Sequence, residues 1–586
     1  MLRLPKRPSS AHSIQLGSHS DQRKGERRWF LICGIGILLL VLRLGYWQLY
    51  RHTDLQAQAE AQYRRTIVSE GSRGTLWTAD GYPLVINQRR YRLFAHPNKL
   101  EHDPSQIALS LCSLLPTLQE NCQQLQTTLS NSESNWKYLA NNLSEAEMAS
   151  VSAIKEPGLG FEPFEIRSYP QASMAAQLIG FVGKNDAGED TGYFGIEGAL
   201  ENELRGRSTT KTVLTDALGY QLSPEDVRTT RLRGRDVILT IRRDVQELAE
   251  SQLQYGMNRY GAKSGEIIIL DPENGDILAL ANAPSFDPRQ SGTSEPDAFI
   301  NRSLNDVYEP GSTFKILTVA AGLNEGVITP ETTCTTCSGP RFIAGYTIKT
   351  WNNVYQPGIT MTEALEKSDN TAMIFVAEKL GADTLSTYLK KFGIGEPIGV
   401  ELQGDRKTPF PDHWGAVELA TRSFGQGIGT TSLQMVRAVA TIARGGQMVT
   451  PRIIKATRDQ QQELPTPIVT GDQVISAATA STLKTMMVAA AQHGEAQWVY
   501  NKKFRAAGKT GTSQIAEHGS YNPDKTIASF IGFSPPENPK FVMLVKLVEP
   551  QSSIWAAETA APLWFRIADQ LHLLLGIPFE QQEESE

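Results

Sequence analysis

Near its N-terminus the chain carries one stretch that water cannot easily accommodate. Trp29 to Leu42 is apolar or Gly without interruption, and after Arg43 the pattern resumes through Leu44, Tyr46, Trp47, Leu49 and Tyr50. At 1.5 Å per residue, residues 29–50 make a helix of about 33 Å, enough for a hydrocarbon core of roughly 30 Å. Arg43 lies in the last third of the run, where its stem can follow the apolar surface and its charge can reach the interface beside Trp47 and Tyr50. Arg3, Lys6, Arg7, Arg23, Lys24, Arg27 and Arg28 crowd the preceding tail, which predicts that it stays cytoplasmic and that everything after Arg51 is exported. The nearest small-x-small site, Ala57-Gln58-Ala59, lies well beyond the apolar run, so an uncleaved anchor is expected instead of a signal peptide. A single-pass protein of the cytoplasmic (inner) membrane follows.

The remainder reads as ordinary globular sequence: 40% hydrophobic and 20% charged over 586 residues excludes wholesale disorder and small disulfide scaffolds. Its 57 Lys plus Arg against 63 Asp plus Glu give a net charge of −6, without the basic bias that binding a phosphate backbone requires, so no nucleic-acid partner is expected. Of five cysteines Cys33 falls in the membrane, and Cys112, Cys122, Cys334 and Cys337 on the exported side. Cys334 and Cys337 have no second CxxC or His cluster to complete a zinc site, so no metal is expected; they read as a local disulfide or two buried thiols. Whether Cys112 and Cys122 pair is open.

The pattern divides the chain into a cytoplasmic tail (1–28), the membrane helix (29–50), an α+β module (51–230), a second domain (235–576) and an acidic tail (577–586). From Arg51 to about Thr66 a helical stalk is predicted, then strands at Gly74 to Trp77 and Pro83 to Asn87, then amphipathic helices over 104–153 that include Leu139, Leu143 and Met148. In the second domain Glu266 to Leu270 and Asp276 to Ala281 form a hairpin about Asp271-Pro272-Glu273-Asn274-Gly275. Three more strands are predicted near the end, at Ala506 to Ser513, Thr526 to Phe533 and Lys540 to Val548, followed by a helix from Ala561 to Leu575. Strands at both ends with helices between predict one antiparallel sheet closed by the two ends of the domain and covered by helices.

Chemistry enters at Tyr308-Glu309-Pro310-Gly311, a turn from which Ser312-Thr313-Phe314-Lys315 opens an apolar helix. A Ser and a Lys at i and i+3 share a helix face, so the amine can take the hydroxyl proton, and the helix N-terminus favours an oxyanion. The same spacing at Ser134/Lys137, Ser152/Lys155, Ser208/Lys211 and Ser481/Lys484 makes it unspecific by itself. Two further elements follow in order: Ser368-Asp369-Asn370 between two helical patterns, and Lys509-Thr510-Gly511-Thr512 in an edge-type strand where Gly511 would let a substrate backbone approach. Each alone could be a cap or a turn. Together, Ser-x-x-Lys, Ser-x-Asn and Lys-Thr-Gly are the signature of acyl-serine transferases that recognise penicillin.

With these motifs the chain resembles the class B penicillin-binding proteins, membrane-anchored D,D-transpeptidases of peptidoglycan synthesis. The resemblance also rests on Arg73-Gly74, Arg167-Ser168-Tyr169-Pro170, Gly195-Ile196-Glu197 and Leu204-Arg205-Gly206 in the first module. In the second it rests on Asp271-Pro272, Pro284-Ser285-Phe286-Asp287-Pro288, Ser423-Phe424-Gly425-Gln426-Gly427 and Ser529-Phe530-Ile531-Gly532-Phe533. It departs at Thr78-Ala79-Asp80-Gly81, where the family usually has Asp-Arg-Asn-Gly. The fold implied is α+β: a penicillin-recognising serine transpeptidase domain, with a five-stranded antiparallel sheet and helices on both sides, after an α+β pedestal and one membrane helix.

By this resemblance Ser312 is the nucleophile, Lys315 its general base with an amine pKa lowered by burial and by Lys509, and Ser368 the proton relay to the leaving amine. Asn370 would hold Lys315 and the substrate amide; Lys509 with Thr510 and Thr512 would bind the terminal carboxylate beside Gly511; and the N–H groups of Ser312 and Thr512 would form an oxyanion hole. No cofactor is implied. The partners implied are peptidoglycan stem peptides, β-lactams as covalent inhibitors, a polytopic glycosyltransferase and small bitopic division proteins. Asn370 as the third residue of its motif and Ser423-Phe424-Gly425-Gln426 resemble the division and sporulation group more than the elongation group. Competing readings are an elongation transpeptidase, a β-lactamase or D,D-carboxypeptidase, a penicillin sensor, and an inactive division scaffold. A deacylating Glu-x-x-Leu-Asn is missing, because Leu323-Asn324 follows Ala320.

Overall fold

A computed structural model describes residues 19–214, 232–517 and 519–579. The expectations for the tail before His19, for the Arg-rich junction up to Arg231 and for the acidic tail from Glu580 lie outside the described residues. The chain forms two compact units.

The smaller unit holds the helix His19–Gly45, one wider turn at Tyr46–Tyr50 and a second helix, His52–Tyr63. Within it Arg27–Tyr50 is long and apolar enough to cross a membrane, and it is the one such segment among the described residues. The predicted stalk is shorter than expected. Its helix stops at Tyr63, and Arg64–Glu70 pairs antiparallel with Ser208–Leu214, Arg64 opposite Leu214 and Glu70 opposite Ser208. The β-branched run Thr66-Ile67-Val68 suits a ladder better than a helix once a partner strand is supplied.

In the larger unit a central five-stranded antiparallel sheet contains β1 (Ser264–Leu270), β2 (Ile277–Ala283), β3 (Ala507–Glu517), β4 (Ser520–Ser534) and β5 (Phe541–Val548), in the spatial order β2-β1-β5-β4-β3. The β1–β2 hairpin turns at Gly275, whose φ of +81° is the conformation that glycine allows at no steric cost. Successive residues of a strand face opposite ways, and here both faces are covered, which is why Glu266-Ile267-Ile268-Ile269-Leu270 is almost continuously apolar. Ile267 and Ile269 pack with helices α1 (Arg243–Tyr260) and α6 (Ala560–Leu574). Ile268 and Leu270 face the other layer: α2 (Lys315–Asn324), α3 (Asn370–Leu380), α4 (Ser432–Ala443) and α5 (Ala477–His493). Each fully buried aliphatic side chain contributes roughly 1.5–3 kcal/mol, so a sheet sandwiched on both faces is a rigid platform for its edge strand β3.

A second sheet of seven strands draws on sequence from both sides of the expected junction near residue 230. Leu76–Trp77 pairs in parallel with Asp236–Leu239 and antiparallel with Pro83–Ala95, while Ile454–Asp459 joins Asp236–Leu239 from the opposite side. The expectation of helices throughout 104–153 needs correction. Pro104–Leu114, Cys122–Ser130 and Glu145–Ser152 are helical, but Lys137–Leu143, with Leu139 and Leu143, is a strand on Pro83–Ala95. Its apolar residues are too few to separate the two periods, and pairing with a neighbouring strand decides. At Thr78-Ala79-Asp80-Gly81 the tight turn forms despite the unusual residues: buried Thr78 accepts from Tyr82 N through its hydroxyl (2.9 Å), and Gly81 takes φ +84°. Nearby, the buried carboxylate of Glu197 ties together Arg73 (2.6 Å) and Arg167 (2.7 Å), which explains three of the motifs by which the first module was read. Cys112 and Cys122 form one disulfide and Cys334 and Cys337 another.

Candidate active site

Three segments converge on the edge strand β3. Gly311–Phe314 is a tight 3₁₀ turn that runs directly into α2, so Ser312 sits half-buried at the helix entrance. The turn is held from below by Ser423-Phe424-Gly425-Gln426-Gly427. Gly311 N donates to Gly425 O (3.1 Å), Thr318 Oγ1 donates to Ser423 O (2.7 Å), and Gly427 N donates to the Glu309 carboxylate (2.9 Å). Gly425 has φ +81°, and a Cβ there would come within 2.3 Å of Gly311 O. Strand β3 closes the other side. A Cβ on Gly511 would lie 2.7 Å from the Thr313 methyl and 3.0 Å from Pro310 O. Gly511 is therefore required by the approach of the Ser312 turn itself, where the sequence suggested only room for a substrate backbone.

Lys315, one helical turn beyond Ser312, is fully buried. Its Nζ donates to Ser368 O (2.5 Å) and to Ser368 Oγ (3.2 Å). Ser368 makes this possible by adopting φ +56°, a left-handed conformation that non-glycine residues rarely take and that recurs where function demands a particular backbone direction. Burial pushes the Lys315 amine down to about 7, and the charge of Lys509 pushes the same way, against the opposing influence of Glu495 and Asp369. An ordinary lysine titrates near 10.4, so at neutral pH the neutral fraction is roughly a thousand-fold larger here.

Asn370 opens α3 behind its neighbour Asp369, which caps the helix by accepting from Ala372 N (3.0 Å). The Asn370 side chain does not make the expected contact with Lys315; its Nδ2 donates to Lys349 O (2.9 Å). Lys509 is also buried, and burial lowers its pKa while Glu495 opposes. Its Nζ donates to Thr510 Oγ1 (3.0 Å) and Thr510 O (3.3 Å). Thr510 in turn donates to Glu495 Oε2 (2.6 Å), and Thr512 Oγ1 accepts from Ala556 N (3.1 Å). The turn that carries Ser312, the loop that carries Ser368 and the edge strand that carries Lys509, Thr510, Gly511 and Thr512 thus meet around Lys315, while the Asn370 side chain is turned toward Lys349.

Two features escaped the sequence. Glu495 belongs to no recognisable pattern, falling just after α5 ends at His493. Trp351 and Trp555 meet edge to face at 5.2 Å, Trp555 standing next to the Ala556 that holds Thr512; they come from loops far apart in the chain, so no local signal links them. Beside them a cleft of about 200 Å³ is lined by Trp351, Asn352, Lys367, Asp369, His493 and Glu495 among others. Among the described residues, no group of three or more His, Cys, Asp or Glu is placed to hold a metal ion.

Residues 265–568, more than half of the chain, match the penicillin binding protein transpeptidase domain, and residues 68–239 match the penicillin-binding protein dimerisation domain. The chain is 29% identical over 544 residues to stage V sporulation protein D of Bacillus subtilis, covering 91% of this chain and 83% of that one. It is 28% identical over 549 residues to peptidoglycan D,D-transpeptidase FtsI of Escherichia coli, covering 92% and 90%. The crystal structure of penicillin binding protein 3 from Mycobacterium tuberculosis complexed with aztreonam has the same fold, with a TM-score of 0.68 at 25% identity over 88% of this chain and 98% of that one. The family expected from the motifs is the family found, and so is the fold: the chain belongs to the penicillin-binding proteins of class B, with a dimerisation module ahead of the transpeptidase domain.

Proposed function

We propose that this chain is a peptidoglycan D,D-transpeptidase that works through an acyl-enzyme on Ser312. The observation that carries the reading is a buried, neutralisable Lys315 one helical turn from Ser312 and 3.2 Å from the hydroxyl of Ser368. Lys315 Nζ takes the Ser312 proton as Oγ attacks the carbonyl between two D-Ala residues of a stem peptide. The tetrahedral oxyanion is met by the N–H groups of Ser312 and Thr512. Ser368 passes the proton to the departing D-Ala amine as the C–N bond breaks, leaving an ester on Ser312. The amine of a neighbouring stem peptide then attacks the ester, its proton returns to Ser312 Oγ, and the crosslink is complete. Lys509 with Thr512 receives the terminal carboxylate of the donor, Thr510 and Gly511 shape the edge of that subsite, and Asn370 positions the substrate amide. A β-lactam enters the same path and stops at the ester.

The reading extends to the whole chain. Residues 29–50 anchor it in the cytoplasmic membrane with residues 1–28 inside; residues 51–230 form a pedestal and 235–576 the catalytic domain outside, ahead of the acidic tail 577–586. The Asn370 motif and Ser423-Phe424-Gly425-Gln426 favour septal synthesis during division or sporulation, with a polytopic glycosyltransferase and bitopic division proteins as partners. Labelled penicillin, trypsin digestion and mass spectrometry test the core of the proposal. The label is expected on the peptide containing Ser312 and should survive a chase in buffer. A label elsewhere ends the assignment of Ser312, and rapid loss of label points to a β-lactamase or carboxypeptidase.

A further inference from the structure

Two buried lysines, Lys315 and Lys509, lie near enough for the charge of one to act on the other, a costly arrangement unless something of opposite sign faces them. Two carboxylates do, from different elements. Asp369 stands before α3, but its Oδ1 is committed to Thr371 Oγ1 (2.6 Å) and Ala372 N (3.0 Å). Glu495 stands after α5 and reaches Lys509 through Thr510 Oγ1. The remaining charged groups lining this side are Lys367, Glu366 and His493, the last two within 3.6 Å of each other. A threonine hydroxyl has one proton, and here it goes to Glu495. Thr510 Oγ1 can then only accept from Lys509, which fixes the direction of the whole chain of hydrogen bonds, Lys509 to Thr510 to Glu495. Two of the ammonium protons are held on Thr510 Oγ1 and Thr510 O, and the third is left for a ligand.

We propose that Glu495 is a positioning residue for the reaction: through Thr510 it orients Lys509 and keeps it cationic as the receptor of the substrate's terminal carboxylate. The inference rests on the acyl-enzyme reading above. It also changes the part given to Thr510, whose hydroxyl proton serves Glu495 and not the substrate carboxylate. Removing the charge of Glu495 lowers the pKa of both lysines. The limb on which Lys315 loses its proton and acylation begins moves to lower pH, and so does the limb on which Lys509 loses its proton and carboxylate binding fails.

The test is the rate of Ser312 acylation by penicillin, against concentration and pH, in the full-length protein and in Glu495→Gln. Half-saturation is expected to rise about 3–10-fold with little change in the limiting rate, and both limbs are expected to move to lower pH. On the plateau above the Lys315 limb, penicillin methyl ester, which lacks the carboxylate, should acylate wild type and Glu495→Gln at equal rates. Glu495→Asp keeps the charge and should restore most of the half-saturation; Thr510→Val, which keeps the shape and breaks the link from Glu495 to Lys509, carries the same comparison if Glu495→Gln does not fold. Unmoved limbs and unchanged half-saturation overturn the proposal, and so does equal slowing with penicillin and its ester, the mark of a structural role. Absence of acylation in wild type would instead overturn the acyl-enzyme reading.

Discussion

The molecule buries lysines in two ways within a single domain. In the sheet interior Lys546 on β5 lies directly opposite Glu266 on β1, and the two side chains form an ion pair. Ser432 of α4 donates to the same carboxylate (2.6 Å), and the Tyr308 ring lies 4.2 Å from the ammonium. In the cleft the Lys315 ammonium is hydrogen-bonded to a carbonyl and a hydroxyl with no ion pair among the described residues, and a second lysine opposes the more distant carboxylates of Glu495 and Asp369. The first environment suits a structural ion pair that joins β1, β5 and α4 behind the Tyr308-to-Ser312 turn. The second suits an amine that gains and loses a proton near neutrality. Equal burial therefore says nothing about role; the neighbours decide it.

The sharpest break in the comparison comes from Lys315→Met, which is expected to lower the rate of penicillin acylation by about 10²–10⁴-fold, read as adduct formed against time. Next is Lys546→Met, which leaves Glu266 charged, buried and unpaired and is expected to cost roughly 3–5 kcal/mol in denaturant unfolding. Adding Glu266→Leu to it should recover most of that loss, because an apolar pair can replace a buried ion pair. The smallest effect has the opposite sign. The folded-state pKa of Lys315 is depressed, so between about pH 7 and the unfolded value near 10.4 the unfolded chain binds the extra proton and the group costs stability, a cost that shrinks as pH rises. Lys315→Met is accordingly expected to raise the Tm at pH 7.5, by the equivalent of about 1–2 kcal/mol, while it slows acylation.

What the sequence made legible follows the same division between local and distant signals. The five strands of the central sheet were readable because their apolar runs are short, strong and bounded by turns such as Asp271 to Gly275. The three signature motifs were readable because each is compact. Lys137–Leu143 was not, because only pairing with Pro83–Ala95 makes it a strand. Glu495 was not, because its meaning lies in a single hydrogen bond to Thr510, and the direction of the Asn370 amide toward Lys349 depends on a loop fold that no spacing encodes. The left-handed backbone of Ser368 is a similar case: the motif identifies the residue, but only the fold turns its carbonyl onto Lys315.

The claim at the centre of this account is that a neutral Lys315 activates Ser312. The most direct measurement is the pH dependence of the Ser312 acylation rate constant in wild type and in Lys315→Arg, from pH 5.5 to 9. Wild type is expected to rise through a midpoint near about 7, matching the depressed amine, and Lys315→Arg to be slow at every pH because a guanidinium does not deprotonate. Acylation of Lys315→Arg at the wild-type rate, with the same midpoint, would contradict it.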